Sequence, residues 1–187
     1  MTLVLALDLA TVSGFAVGQL GAAPCCGSKR LASKGASHAA IFGNAIEWLI
    51  EFTREHKPNV VAIEAPLSLG AIAKSRRGGW GRAQNADTNL LLNGLIAIAM
   101  GVAYARGIYN INLHPVTAIR SHFIDMNVCA RGEAKLYTIR KCRSLGWLEE
   151  ADDDAADAAA LWSLQCSLLD PRQALRVSPL FLRGVAV

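Results

Sequence analysis

Acidic residues stand at places in this sequence where a carboxylate is costly. Asp8 ends the apolar run Leu3–Leu7, and Glu64 ends the apolar run Val60–Ile63, so two segments that read as buried strands each finish in an acid. Open α/β sheets gather their ligands at the carboxyl ends of strands, and an ionised carboxylate there must be paired or metal-bound. Asp154 and Asp157 are three apart in a helical pattern and share a face; Asp153 and Asp157, four apart, would share one too. A helix packed on the sheet would aim that pair at Asp8 and Glu64. Three or four carboxylates with little base nearby repel one another unless a cation sits among them. Oxygen-only donors suit Mg²⁺ or Mn²⁺, and there is no Cys/His cluster to suggest structural zinc. Two such ions can activate a water and stabilise the leaving oxygen in phosphodiester hydrolysis. Each acid also has a plainer reading: Asp152, Asp153 and Asp154 suit a helix cap and dipole, and Asp8 suits a strand-end turn. Glu64, between Ile63 and Ala65, and Asp157, on an alanine-rich face, are harder to explain structurally.

The elements that must position these acids follow from periodicity. After the first strand, Thr11–Gly14 is a turn signal and Phe15–Val17 a second strand, which makes a hairpin. Lys29–Lys34 reads as a third strand, its basic side chains suited to an exposed edge. Ile41, Ala45, Trp48, Leu49 and Phe52 recur at three- and four-residue spacing, predicting an amphipathic helix over Ala39–His56 that stops at Lys57-Pro58-Asn59. Between Ala65 and Ala86 the periodicity vanishes, as in a long loop. Asp87–Arg106 reads as a buried helix and Ile108–Leu113 as a strand. Pro115 is placed in the first turn of a helix running to Asp125. Further helices are expected at Gly132–Leu145 and from Asp152–Asp154 through Trp162 to about Leu169, where Pro171 intervenes. The order describes a mixed five-stranded sheet flanked by helices: an antiparallel meander, then parallel strands joined by crossovers. Trp48 and Trp162 fall on apolar helix faces and are expected in the core.

Length and composition agree with one domain over residues 1–187, with a poorly patterned tail at 171–187. A hydrophobic fraction of 52% and only 18% charged residues exclude a disordered chain. The net charge of +4 permits nucleic-acid binding without demanding it. Thr88–Tyr104 has no formal charge, but Asn89, Asn93, Gly94 and Gly101 dilute it, so a buried helix is favoured over a membrane span. Met1–Leu7 lacks a basic lead-in and runs straight into Asp8, unlike a signal peptide. A cytoplasmic protein is expected. The cysteines number five, with no C-x-x-C pair, and read as reduced and mostly structural.

Three segments, LALDLATVSGFAV at Leu5–Val17, VVAIEAP at Val60–Pro66 and DDAADAAAL at Asp153–Leu161, resemble in order and separation the acidic motifs of the RuvC-type Holliday junction resolvases, especially their phage-type relatives. The resemblance spans the chain up to about Leu169. It implies an RNase H-like fold, a homodimer, and four acids that bind divalent metal while two symmetric strands of a four-way DNA junction are nicked. Residue by residue, it assigns Asp8, Glu64, Asp154 and Asp157 to metal binding and catalysis. It likens Lys135 to a family lysine near the scissile phosphate, and Arg120 to a second basic position after the strand-end proline. Where the family usually has Gly after the first Asp, this chain has Ala10. The loop Lys74–Arg82 lies where the family contacts DNA: Lys74, Arg76, Arg77 and Arg82 would bind phosphates, and Trp80 could stack on an unpaired base.

Other readings stay open. Asp8-Leu-Ala-Thr11 also resembles the first phosphate loop of sugar kinases and actin-like ATPases, but 187 residues are too few for their second lobe. A non-catalytic binder of branched DNA would not need all four acids. An RNase H-like nuclease acting on RNA or an RNA–DNA hybrid shares the same metal chemistry, and the sequence does not separate the two substrates. His38, His56, His114 and His122 share no spacing and read as structural or surface residues; His114, before Pro115, is the one to watch.

Overall fold

The computed structural model describes residues 1–66, 86–125 and 131–173. Its centre is a five-stranded sheet of β1 (Leu3–Asp8), β2 (Val12–Gln19), β3 (Cys25–Arg30), β4 (Val60–Glu64) and β5 (Asn110–His114), in the spatial order β3-β2-β1-β4-β5. β1, β2 and β3 form the antiparallel meander; β4 lies parallel to β1, and β5 parallel to β4. The expected mixed sheet is therefore present. Five helices accompany it among the described residues: α1 (His38–His56), α2 (Ala86–Ala105), α3 (Val116–Ile124), α4 (Arg131–Ser144) and α5 (Asp153–Leu169).

Strand periodicity sorts the core into two layers. Val4, Ala6, Ala16, Val60 and Ala62 point to one face and pack with α3, α4 and α5. Leu5, Leu7, Val17, Val61 and Ile63 point to the other and pack with Ile41, Ala45 and Leu49 of α1 and Leu95, Ile96, Ala99 and Ala103 of α2. By the same alternation Asp8 and Glu64, the last residues of β1 and β4, belong to the α5 face. Leu7 stands beside Ile63 in register, so the two acids that follow are neighbours.

Several boundaries differ from the sequence expectation, each for a physical reason. Val12, Ser13 and Gly14 belong to β2 rather than to a turn. The reversal is made earlier, where the buried Ser13 hydroxyl donates to the Ala10 carbonyl at 2.8 Å and accepts from the Ala10 N–H at 3.2 Å. The edge strand forms at Cys25–Arg30 rather than Lys29–Lys34, because pairing with β2 sets its register. Pro115 is the N-cap of α3, with extended backbone, not a residue of its first turn. Helix α2 is buried on one side only. Leu90, Met100 and Tyr104 are exposed, although the helix is long and apolar enough by composition to cross a membrane.

Trp162 is buried, its indole N–H donating to the Val4 carbonyl at 3.2 Å, and Trp48 packs with Phe15 and Phe52. Cys25, Cys26, Cys142 and Cys166 are free thiols, and burial pushes the last three up to about 12. Cys26, Cys142 and Cys166 are packing groups, as the sequence led one to expect, whereas Cys25 is exposed.

Candidate active site

A cleft of about 400 Å³ opens at the carboxyl ends of β1 and β4, and Asp8, Glu64, Asp154 and Asp157 all line it. Lys135 of α4 and Arg120 of α3 share the lining, with Leu92, Ile96 and Val116 as an apolar wall. Six residues that the sequence marked for chemistry, scattered over 150 positions, thus face one space. Lys74, Arg76, Arg77, Trp80 and Arg82 lie outside the described residues.

The approach of α5 to the sheet depends on a stripe of small residues. Gly14, Ala16 and Gly18 lie on the α5 face of β2, and Ala155, Ala156, Ala158, Ala159 and Ala160 face inward from the helix. A Cβ at Gly14 would fall 1.9 Å from the Asp154 carbonyl oxygen and 2.4 Å from its carbon. Gly14 is also the register partner of Asp8. The bare backbone at this position lets the start of α5 settle beside the end of β1, bringing the third acid to the first. The sequence reading saw only a turn glycine; the β-strand alternation Gly14-Ala16-Gly18 was the signal for a seat.

The three consecutive aspartates at the helix start bring one carboxylate oxygen each within 4.8 Å of one another. Their engagements differ. Asp152 is the N-cap and accepts from the Ala155 N–H at 3.0 Å. Asp153 accepts from the Lys135 ammonium. Asp154 faces the cleft, which separates it from Asp153 as spacing alone did not.

Electrostatics mark the cleft as a site poor in compensation. Burial, then the charges of Glu64, Asp157 and Asp154, pushes the Asp8 carboxyl well above its ordinary range. Burial likewise raises Asp154, with Asp153 adding to the effect, and raises Asp157 against the opposing charges of Lys135 and Arg120. Arg30, at the end of edge strand β3, also opposes the shift at Asp154, a basic contribution that the sequence reading missed. At Lys135 the charged form is favoured instead: its hydrogen bond with Asp153 raises the ammonium and holds Asp153 below the usual carboxylate range. A hard divalent cation would relieve the crowding, and an all-oxygen donor set of half-buried carboxylates fits Mg²⁺ or Mn²⁺.

Three of the histidines have side-chain partners. His114 stands opposite Glu64 in register, but its Nε2 lies 2.8 Å from Gln165 Oε1 of α5. His122 Nε2 is 2.9 Å from Ser163 Oγ, and His38 pairs with Asp87 at 3.4 Å.

Among solved structures, Thermus thermophilus RuvC in complex with a Holliday junction substrate superposes with a TM-score of 0.67 at 15% identity, covering 92% of this chain and 98% of its own. The chain has the RNase H-like fold of RuvC. A second Thermus thermophilus RuvC structure gives a TM-score of 0.63 at 16% identity over 90% of this chain and 96% of the other. The yeast mitochondrial Holliday junction resolvase Ydc2 gives 0.55 at 15% identity over 98% and 84%. No protein-family model and no curated protein sequence matches the chain. The likeness to RuvC is thus one of fold, carried by nearly the full length of both chains.

Proposed function

We propose that the chain is a structure-selective DNA endonuclease that resolves four-way junctions by divalent-metal-assisted phosphodiester hydrolysis. The observation that carries this reading is the convergence of Asp8, Glu64, Asp154 and Asp157, from two strand ends and one helix, in a cleft bordered by Lys135 and Arg120. Its support from comparison is the fold shared with a RuvC that binds a Holliday junction substrate.

In this reading the four carboxylates hold Mg²⁺ or Mn²⁺, which supplies an activated water and counter-charge for the leaving oxygen. Lys135 and Arg120 take the phosphate that the acids alone would repel, so binding weakens as salt rises. Leu92, Ile96 and Val116 give the cleft an apolar wall that limits water along it. Lys74, Arg76, Arg77, Trp80 and Arg82 are proposed to add contacts to the junction. We further read the protein as a cytoplasmic, single-domain homodimer, because two symmetric nicks require two sites. The groove between α1 and α2, which the half-buried Ile98 helps to line, is the proposed contact, and Ile98→Glu is expected to move sedimentation from dimer to monomer while the fold is kept; unfolding instead would make this face core.

The deciding experiment is a nicking assay on labelled four-way junctions, forks, linear duplex and RNA–DNA hybrid, with Mg²⁺, Mn²⁺ or chelator, comparing wild type with Asp8→Asn. Paired nicks in the junction that need metal and vanish with Asp8→Asn are expected. Binding without cleavage under every metal would make the protein a junction binder, and cleavage confined to the hybrid would make it a ribonuclease.

A further inference from the structure

Asp153 sits between an N-cap and a cleft acid and shares neither role. It has a partner of its own, Lys135, which comes from α4, eighteen residues earlier. Lys135 borders the cleft that holds Asp8, Asp154 and Asp157. A lysine side chain has several rotatable bonds and loses rotamer entropy when fixed, so its place is decided by whichever anion holds it. The anions available inside the cleft are the acids a cation would need.

We propose that Asp153 is a positioning residue that holds the Lys135 ammonium at the rim of the cleft, keeping it out of the cation's seat and presenting it to the phosphate of a bound strand. This rests on the nuclease reading above. The placement fits: Lys135 bonds Asp153 at the border of the cleft, while Asp154 and Asp157 line the cleft itself. With Asp153 neutralised, the remaining attraction draws Lys135 inward, where it competes with the metal.

Two measurements without turnover test this. In Mn²⁺ titrations by calorimetry, Asp153→Asn is expected to weaken binding about ten-fold, the scale on which supporting residues act on metal affinity. Adding Lys135→Met to Asp153→Asn is expected to restore it. Weakening that persists in the double variant would make Asp153 a ligand and overturn the proposal; so would an unchanged Asp153→Asn, which would reduce the contact to a surface ion pair. In side-chain ¹⁵N spectra of the metal-free protein, the Lys135 ammonium signal is expected to move between wild type and Asp153→Asn as its carboxylate partner changes, and an unmoved signal in the variant would refute the clamp. Failure of wild type to cut junctions while these results hold would discard the nuclease reading and leave the clamp standing.

Discussion

On the α5 face the sheet presents Val4, Ala6, Gly14, Ala16, Gly18, Val60 and Ala62 to a helix whose first two turns bury alanines, whereas the opposite face presents Leu5, Leu7, Val17, Val61 and Ile63 to α1 and α2. Small residues on both partners let backbone approach backbone, and the position of α5 is then fixed by atoms that cannot yield. Large aliphatic side chains on the other face keep the helices at a distance and leave room: a groove of about 430 Å³ lined by Ile46, Ile50, Ile98, Gly101 and Val102 opens between α1 and α2. The acids lie on the tightly packed side. A site that must hold repelling carboxylates in place has been built where displacement is hardest.

The largest break in this comparison is expected from Gly14→Ala. The added methyl meets the carbonyl of Asp154, which is helix backbone and has no rotamer to move to, so α5 must shift. Overpacking of this kind costs about 1–3 kcal/mol, and the shift carries Asp154 away from Asp8. Urea unfolding should show the loss of stability, and Mn²⁺ titration a weaker site. A variant with normal metal affinity would mean that the cleft does not depend on this seat.

Charge gives a second and smaller test with a definite sign. Burial and neighbouring acids raise the Asp8 carboxyl, so the folded protein binds its proton more readily than the unfolded chain does. Metal-free stability from this group is therefore full below the unfolded value of about 3.9 and lost as pH rises through the higher folded value. Asp8→Asn removes the burden and should stabilise the metal-free protein at pH 8 by ~0.5–2 kcal/mol, as relief of a strained functional site does. The gain should shrink toward pH 4, where Asp8 is itself protonated. Mn²⁺ should raise the melting midpoint of wild type more at pH 8 than at pH 5, with little effect on Asp8→Asn. Melts in chelator and in Mn²⁺ at both pH values check this, and destabilisation by Asp8→Asn would show that the carboxylate is instead held by favourable contacts.

The same contrast explains what could be read in the sequence. Asp8 and Glu64 were legible because an apolar run that ends in an acid states both its element and the position of the acid in it. The α5 helix was legible from its cap and alanine face. Gly14 was misread because the reason for a glycine seated under a helix lies 140 residues away, while a turn beside it offered a local reason. The local pattern at Lys29–Lys34 lies four residues beyond the edge strand β3 because the register of that strand is set by hydrogen bonds to β2, not by its own pattern. Helix α2 was expected to be buried because an evenly apolar helix has no moment to show which side faces out. Asp153 and Asp154 were inseparable by spacing, since their roles depend on how the helix is turned toward the sheet and on where α4 brings Lys135.

The smallest predicted effect lies on the loosely packed face and has the opposite sign to that at Gly14. A Cβ at Gly101 would meet nothing within 4 Å, and its backbone is helical, so Gly101→Ala adds helix propensity without a clash. A gain of about 0.5–1 kcal/mol is expected. Because Gly101 lines the groove, the new methyl also reports on what covers it. If a second copy packs its side chains there, the monomer gains while the dimer loses contact area, so the stabilisation measured in dilute protein falls as concentration rises and the sedimentation equilibrium moves toward monomer. A gain independent of concentration would instead leave the groove facing solvent and would place the dimer contact on another surface, while the difference in sign between Gly14→Ala and Gly101→Ala would still report how tightly each face of the sheet is packed.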